Sequence, residues 1–275
     1  MYFQFGQVMH SALEAYHDPE LSNDREAGQV YVARADAARV VFQAHWEAAT
    51  AKAQKELGFL WSYAVDEWDA HEKLGKTMLE GYFRADVMAN TDIGKVLATE
   101  RRFRVRIPGT NGYLTGQLDL LTDVGPRGRE EKRAWDHKNL SSQHNSSLLD
   151  QDDQLSGYAW IHREVTGETL DSVAYNVLLK KLPVSEKTGK PTKSQLFVRD
   201  VTYRSNKQLD EFGRNLAKEW EDMKRVAANP DEAYPNPSQF NCPGCPVRQI
   251  CVAMMQGEDY EHLIKTGFVI GDERD

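Results

Sequence analysis

The chain has 275 residues, 40% hydrophobic and 10% aromatic, which supports a real core and excludes wholesale disorder. Its formal charge is −8, from 34 Lys and Arg against 42 Asp and Glu, which argues against indiscriminate coating of nucleic acid or anionic membrane but leaves room for a local basic track. No apolar run approaches the roughly 18 residues of a spanning helix, and Met1-Tyr2-Phe3-Gln4-Phe5 lacks the basic and apolar regions of a signal peptide, so a soluble protein is expected.

Residues 6–17 carry Val8, Met9, Ala12, Leu13 and Tyr16 at helical spacing. Residues 33–57 and 66–90 read as two longer helices, with Gly58 between them as a C-cap. Leu74-Gly75-Lys76-Thr77 looks like the end of a phosphate-binding loop, but Ala70 stands where that loop needs glycine, so no nucleotide hydrolysis is expected. Then the period changes. Over 100–109, Phe103, Val105 and Ile107 alternate with Arg102, Arg104 and Arg106, the pattern of a half-buried strand, which Pro108-Gly109 ends. Residues 113–124 make a second strand, 125–130 a turn, and 132–140 a third strand that pairs back as a hairpin. Residues 148–167 read as a helix with an inner stripe of Leu148, Leu155, Tyr158, Ala159 and Val165. Strands follow at 172–182 and 194–203 around a hairpin tip, then an amphipathic helix at 205–228 and a Pro-rich connector. The expected fold is α/β, a mixed central sheet flanked by helices. One domain covers 1–241, with a helical insertion at about 33–90, and a Cys-bearing lobe covers 242–275.

Asp136 and Lys138 lie two apart on the third strand, so they share a face and His137 points to the other. The hairpin brings Asp119 to the same place. Two adjacent carboxylates repel, and a divalent cation relieves that repulsion. Mg²⁺ takes oxygen ligands, typically a few carboxylates with water and phosphate. A lysine beside it orients or helps deprotonate an attacking water, or stabilises charge in the transition state. A surface ion pair worth about 0–1 kcal/mol would look the same in so short a motif. Context shifts the balance: Gly116 precedes Asp119 within an apolar strand, and a helix bearing Gln154 and Tyr158 follows. Arg101, Arg102, Arg104 and Arg106 form one basic face, and Arg127, Arg129, Lys132 and Arg133 a second group. Each is a candidate phosphate contact or a solvated strand face.

The order of these motifs resembles the PD-(D/E)XK nuclease superfamily, in its RecB-like exonuclease branch of phage or prophage type. The matching residues are Gly6 to His10 (Gly-x-x-x-His), Glu100, Gly116 to Asp119, Asp136 to Lys138, Gln154 to Tyr158, and Cys242-x2-Cys245-x5-Cys251. The resemblance implies a restriction-endonuclease-like fold and a Mg²⁺- or Mn²⁺-dependent deoxyribonuclease, an exonuclease of recombination, repair or phage DNA processing. It implies DNA as partner, a helicase or recombination protein beside it, no membrane, and the cytoplasm of a bacterial host or phage-infected cell. Asp119 and Asp136 would bind the metal with His10 as an additional ligand, and Lys138 would be the catalytic lysine. Gln154 and Tyr158 would orient the site or contact DNA, with Gln143 and Gln151 as competitors for the glutamine role. Glu100 would be a further acidic site residue. Two other readings stand beside this one: a CRISPR-associated adaptation nuclease, and a catalytically silent DNA-binding or scaffold subunit of the same fold.

A zinc or iron–sulfur site wants four ligands, and the chain has three cysteines, Cys242, Cys245 and Cys251. Relatives with a [4Fe-4S] cluster take their fourth cysteine from upstream of the Gly-x-x-x-His helix. The expectation is therefore a sequence that starts internally, a lost ligand, or a histidine such as His262 in its place. A cluster held by four cysteines of this chain is excluded, and three reduced thiols packing the lobe remain the alternative.

Overall fold

The structure, a computed structural model, describes residues 2–22, 27–88, 93–125, 128–142, 145–184, 188–192, 194–229, 232–233, 236–238 and 242–268. Helices α1 (Tyr2–Tyr16), α2 (Pro19–Ser22), α3 (Ala27–Leu57) and α4 (Trp61–Met88) precede strands β1 (Lys95–Arg106), β2 (Tyr113–Val124) and β3 (Glu131–Leu140). Then come a 3-10 turn (Ser146–Gln151), α5 (Asp153–Thr166), β4 (Ser172–Leu179), β5 (Phe197–Thr202), α6 (Asn206–Ala228), α7 (Arg248–Gln256) and α8 (Tyr260–Gly267). The chain divides into two compact units, Met1–Lys218 and Glu219–Asp275.

The sheet runs β1-β2-β3-β4-β5, with β3 and β4 parallel and every other pair antiparallel. A parallel pair needs a long crossover, and α5 is that crossover. The mixed sheet flanked by helices is the fold expected from the sequence. On one side, α1 buries Phe5, Val8, Met9, Ala12, Leu13 and Tyr16 against Phe42 and Trp46 of α3, Leu79, Tyr82 and Phe83 of α4, and Leu178 of β4. Each Val, Leu, Met or Phe among them contributes roughly 1.5–3 kcal/mol by leaving water. On the other side, α5 packs on β1 to β4 through Leu155, Tyr158, Ala159 and Ile161.

β1 keeps its predicted alternation: Phe103 and Val105 are buried, while Arg102, Arg104 and Arg106 are exposed. Two expectations need correction. The second long helix starts at Trp61 rather than near 66, because Gly58, at φ +55°, leads straight into a one-turn 3-10 helix. The helix expected over 148–167 is broken at Asp152. That residue adopts extended backbone and its carboxylate accepts from Leu155 N–H at 2.9 Å, an N-cap. The break puts Leu149 in the core where Leu148 was expected, leaving Leu148 63% exposed; Val165, at the C-terminal end of α5, is 45% exposed. The hairpin tip at 186–193 and the connector after α6 lie partly outside the described residues.

In the second unit, Asp259 caps α8 by accepting from His262 N–H at 3.0 Å. Cys242 and Cys245 lie in the turn before α7 and Cys251 within it; all three are half-buried free thiols. No described helix is long and apolar enough to cross a membrane.

Candidate active site

The β2–β3 ladder runs from Val124↔Glu131 to Leu120↔Trp135. One residue further, a side chain takes over: Asp119 Oδ2 accepts the His137 main-chain N–H at 2.7 Å. The two-residue alternation of β2 breaks at the same point. Leu118 and Leu121, three apart, share the cluster beneath α5, whereas Leu120 packs with Trp135 in another. β1 is irregular there as well. Glu100 is the described non-glycine residue with positive φ, +46°. It lies between the pairs Thr99↔Leu120 and Arg101↔Leu118, hence opposite Asp119. Left-handed backbone costs a residue with a Cβ about 1–2 kcal/mol, and such strain clusters at functional sites.

These two irregularities bring both carboxylates to the place where His10 projects from α1. His10 Nδ1 is 3.5 Å from Asp119 Oδ2, and ligand atoms of His10, Glu100 and Asp119 all lie within 4.8 Å of one another. Burial first, then the Asp136 charge, pushes the Asp119 carboxyl up to about 7, against the His137 N–H and Lys138. Burial, then Asp119, raises Glu100, against a hydrogen bond from Gln117. A dication bound there would oppose both shifts, because it favours the charged carboxylates. Two carboxylates and one imidazole suit Mg²⁺ or Mn²⁺, the nitrogen favouring the latter. The donor set fits such an ion.

Asp136 lies outside that trio and is held from α5. Its Oδ1 accepts from Tyr158 Oη at 2.8 Å and Gln154 Nε2 at 2.7 Å. Its Oδ2 is 2.8 Å from Lys138 Nζ, an ion pair without hydrogen-bond alignment, so this buried oxygen has no hydrogen-bond donor among the described residues. Lys138 Nζ donates to Gln154 Oε1 at 2.7 Å and stands 5.0 Å over the Tyr175 ring. Gln154 Nε2 also donates to Tyr158 Oη at 2.8 Å. Residues four apart share a helix face, so one face of α5 supplies both partners. Gly116 permits the approach: a Cβ there would lie 3.0 Å from Ile161 Cδ1. Burial, then the Asp136 charge, raises the Tyr158 phenol and keeps it a donor.

His10, Glu100, Asp119, Asp136, Lys138, Gln154 and Tyr158 thus line one cleft of about 740 Å³, with Arg102 among its walls. Arg104 and Arg106 are not part of that lining. Arg104 covers the Tyr113 ring at 4.2 Å, and Arg106 Nε donates to Thr110 O at 2.9 Å. In the second basic group, Lys132 pairs with Glu168, Arg133 Nε donates to Ser172 Oγ at 2.7 Å, and Arg127 lies outside the described residues. Gln151 is exposed, and Gln143 also lies outside the described residues. Several cleft residues escaped the sequence reading, Gln117 and Glu14 among them. Gln117 joins Arg102 Nε (3.1 Å) to Glu100, and its signal was its place inside Gly-x-x-Asp. Glu14 stands one turn beyond His10 on α1. His137, expected to face away from its neighbours, lines the same cleft. Among the described residues the three thiols do not assemble a ligand group with one another or with His262.

A sequence model of the PD-(D/E)XK nuclease superfamily matches residues 2–252. No curated protein matches the chain. Among solved structures, a presumed exonuclease from Eubacterium rectale aligns at 13% identity over 82% of this chain and 77% of its own, with a TM-score of 0.41. The protein SSO0001 aligns at 12% identity over 74% of this chain and 80% of its own, with a TM-score of 0.36.

Proposed function

The chain belongs to the PD-(D/E)XK nuclease superfamily, and we propose that it is a Mg²⁺- or Mn²⁺-dependent deoxyribonuclease that degrades DNA from its ends, in recombination, repair or phage DNA processing in the bacterial cytoplasm. The RecB-like assignment rests on Gly6 to His10 and on the cysteine spacing. The observation that carries the reading is the juxtaposition of His10, Glu100 and Asp119, within 4.8 Å of one another, with a lysine pinned in the same cleft between Asp136 and Gln154.

Bound there, the cation supplies Lewis-acid stabilisation of the charge that builds on the phosphoryl oxygens. His10, Glu100 and Asp119 hold it. Tyr158 and Gln154 occupy Asp136 Oδ1, and Oδ2, paired with Lys138 Nζ at 2.8 Å but without an aligned hydrogen-bond donor, would be a further oxygen for the ion. The Lys138 ammonium orients the attacking water and offsets negative charge in the transition state. Arg102, at the cleft wall, meets a phosphate of the strand. The acidic, imidazole and lysine groups are all present, which supports catalysis over a silent scaffold.

The test uses end-labelled linear DNA and covalently closed circular DNA with Mg²⁺ or Mn²⁺. Linear DNA should be degraded to short products while circles persist, and chelation should stop the reaction. Cutting of circles would replace exonuclease with endonuclease, and inactivity with both metals on both substrates would reject the enzyme.

A further inference from the structure

Beneath the cleft runs a buried line of polar side chains that the hydrolysis does not use. Arg34 Nη2 lies 3.1 Å from His17 Nδ1. A guanidinium only donates, so Nδ1 accepts and the His17 proton sits on Nε2, which donates to Tyr82 Oη at 2.9 Å. Tyr82 Oη also accepts from Asn176 Nδ2 at 3.0 Å, and the second hydrogen of Nδ2 reaches His137 Nδ1 at 2.9 Å. His137 Nδ1 is therefore an acceptor as well. His17, Tyr82, Asn176 and His137 are 0%, 1%, 1% and 2% exposed. An unpaired polar group at such depth costs about 1–3 kcal/mol, so each partner constrains the next.

The line ends at the site. The His137 main-chain N–H holds Asp119 Oδ2 at 2.7 Å. The His137 ring stands edge-on to His10, with centroids 6.0 Å apart at 73°, and stacks on His17 at 5.7 Å and 19°. Asn176 is its register neighbour on β4. One residue therefore touches two members of the metal trio from outside it.

We propose that His137 is the positioning residue of that trio: Asn176 and His17 fix its ring, the ring edge sets His10, and its main chain sets the Asp119 carboxylate. The inference rests on reading His10, Glu100 and Asp119 as the metal group. Asn176 Oδ1 has no hydrogen-bond partner among the described residues, so the amide acts here through its donors alone, and losing them frees the ring.

The experiment measures Mn²⁺ binding to the full chain without DNA, by loss of the free-ion electron paramagnetic resonance signal, alongside melting in chelator. His137→Phe keeps a stacking ring and loses the Asn176 bond; it should weaken Mn²⁺ binding about 10-fold, as loss of a partner behind a metal ligand does. His137→Gln, which restores an acceptor for Asn176 but lacks the ring edge against His10, should recover part of that loss. Tyr82→Phe removes the acceptor shared by His17 and Asn176, one step further from His137; it should lower the melting temperature and weaken Mn²⁺ binding clearly less than His137→Phe does. If His137→Phe does not fold, Asn176→Leu should show the same loss of affinity. Wild-type Mn²⁺ affinity in the folded His137→Phe or Asn176→Leu variant overturns the proposal, as does a loss in Tyr82→Phe as large as in His137→Phe. Equal Mn²⁺ binding by wild type and Asp119→Asn would instead remove the metal-group reading, and the role of His137 with it.

Discussion

Glu100 faces Asp119 across the β1–β2 ladder from a left-handed backbone, φ +46°. The strand departs from ordinary geometry where two carboxylates must point to one place. A glycine tolerates that backbone and an alanine does not. Glu100→Gly should therefore melt above Glu100→Ala, by about 1 kcal/mol of stability, and both should lose metal affinity. An alanine variant as stable as the glycine variant would mean that the backbone is not strained there.

Asp119 makes the metal-free protein sensitive to pH. Its carboxyl lies at about 7 in the folded chain, raised by burial and then by Asp136, against about 3.9 in an unfolded one. Below pH ~4 both states carry the proton and nothing is lost. From there to about 7 the folded chain keeps a proton that the unfolded chain has released, so stability falls as pH rises, and above 7 the loss is complete. In chelator, Asp119→Asn should melt above wild type at pH 8 and close to it at pH 4. Each 1 kcal/mol moves the midpoint by about 2–4 °C in a domain of this size. The gain in melting temperature from Mn²⁺ should grow over the same window in wild type. A gain that is the same at pH 5 and pH 8 would contradict the raised carboxyl.

The arginines of β1 should not act alike. Arg102 lines the cleft, whereas Arg106 is tied to the Thr110 carbonyl at 2.9 Å. Arg102→Ala should weaken DNA binding and reduce the slope of log affinity against log salt by about 1, the signature of one lost phosphate contact. Arg106→Ala should leave that slope unchanged. Titrations of one labelled oligonucleotide at several salt concentrations, with chelator present, separate the two.

The elements were legible where periodicity was strong. β1 announces itself through Phe103, Val105 and Ile107 between arginines, and β2 has the bounds that were predicted. The break at Asp152 was not, because the stretch at 150–153 holds three aspartates and one glutamine, and only packing selects which carboxylate caps α5. In the site, Asp136, Lys138, Gln154 and Tyr158 were visible as short local spacings. The grouping of Glu100 with His10 and Asp119 was expected through the resemblance alone, since no local spacing shows it. It depends on a positive φ at a glutamate and a broken alternation at Asp119, neither of which leaves a mark in residue type. Asp136, expected among the metal ligands, is gripped by Tyr158 and Gln154 through Oδ1, so the proposed metal role falls to its Oδ2 alone.

Comparing Asp119→Asn with Lys138→Ala tests the central claim most directly, with Mn²⁺ binding and cleavage of linear DNA measured on the same preparations. Asp119→Asn removes a proposed metal ligand and should lose both binding and cleavage. Lys138→Ala leaves His10, Glu100 and Asp119 in place, so it should bind Mn²⁺ as wild type does. Its cleavage should fall by about 10²–10⁴-fold, the usual contribution of a positioned catalytic group. Cleavage at the wild-type rate by either variant, or Mn²⁺ binding retained in Asp119→Asn, would contradict the account.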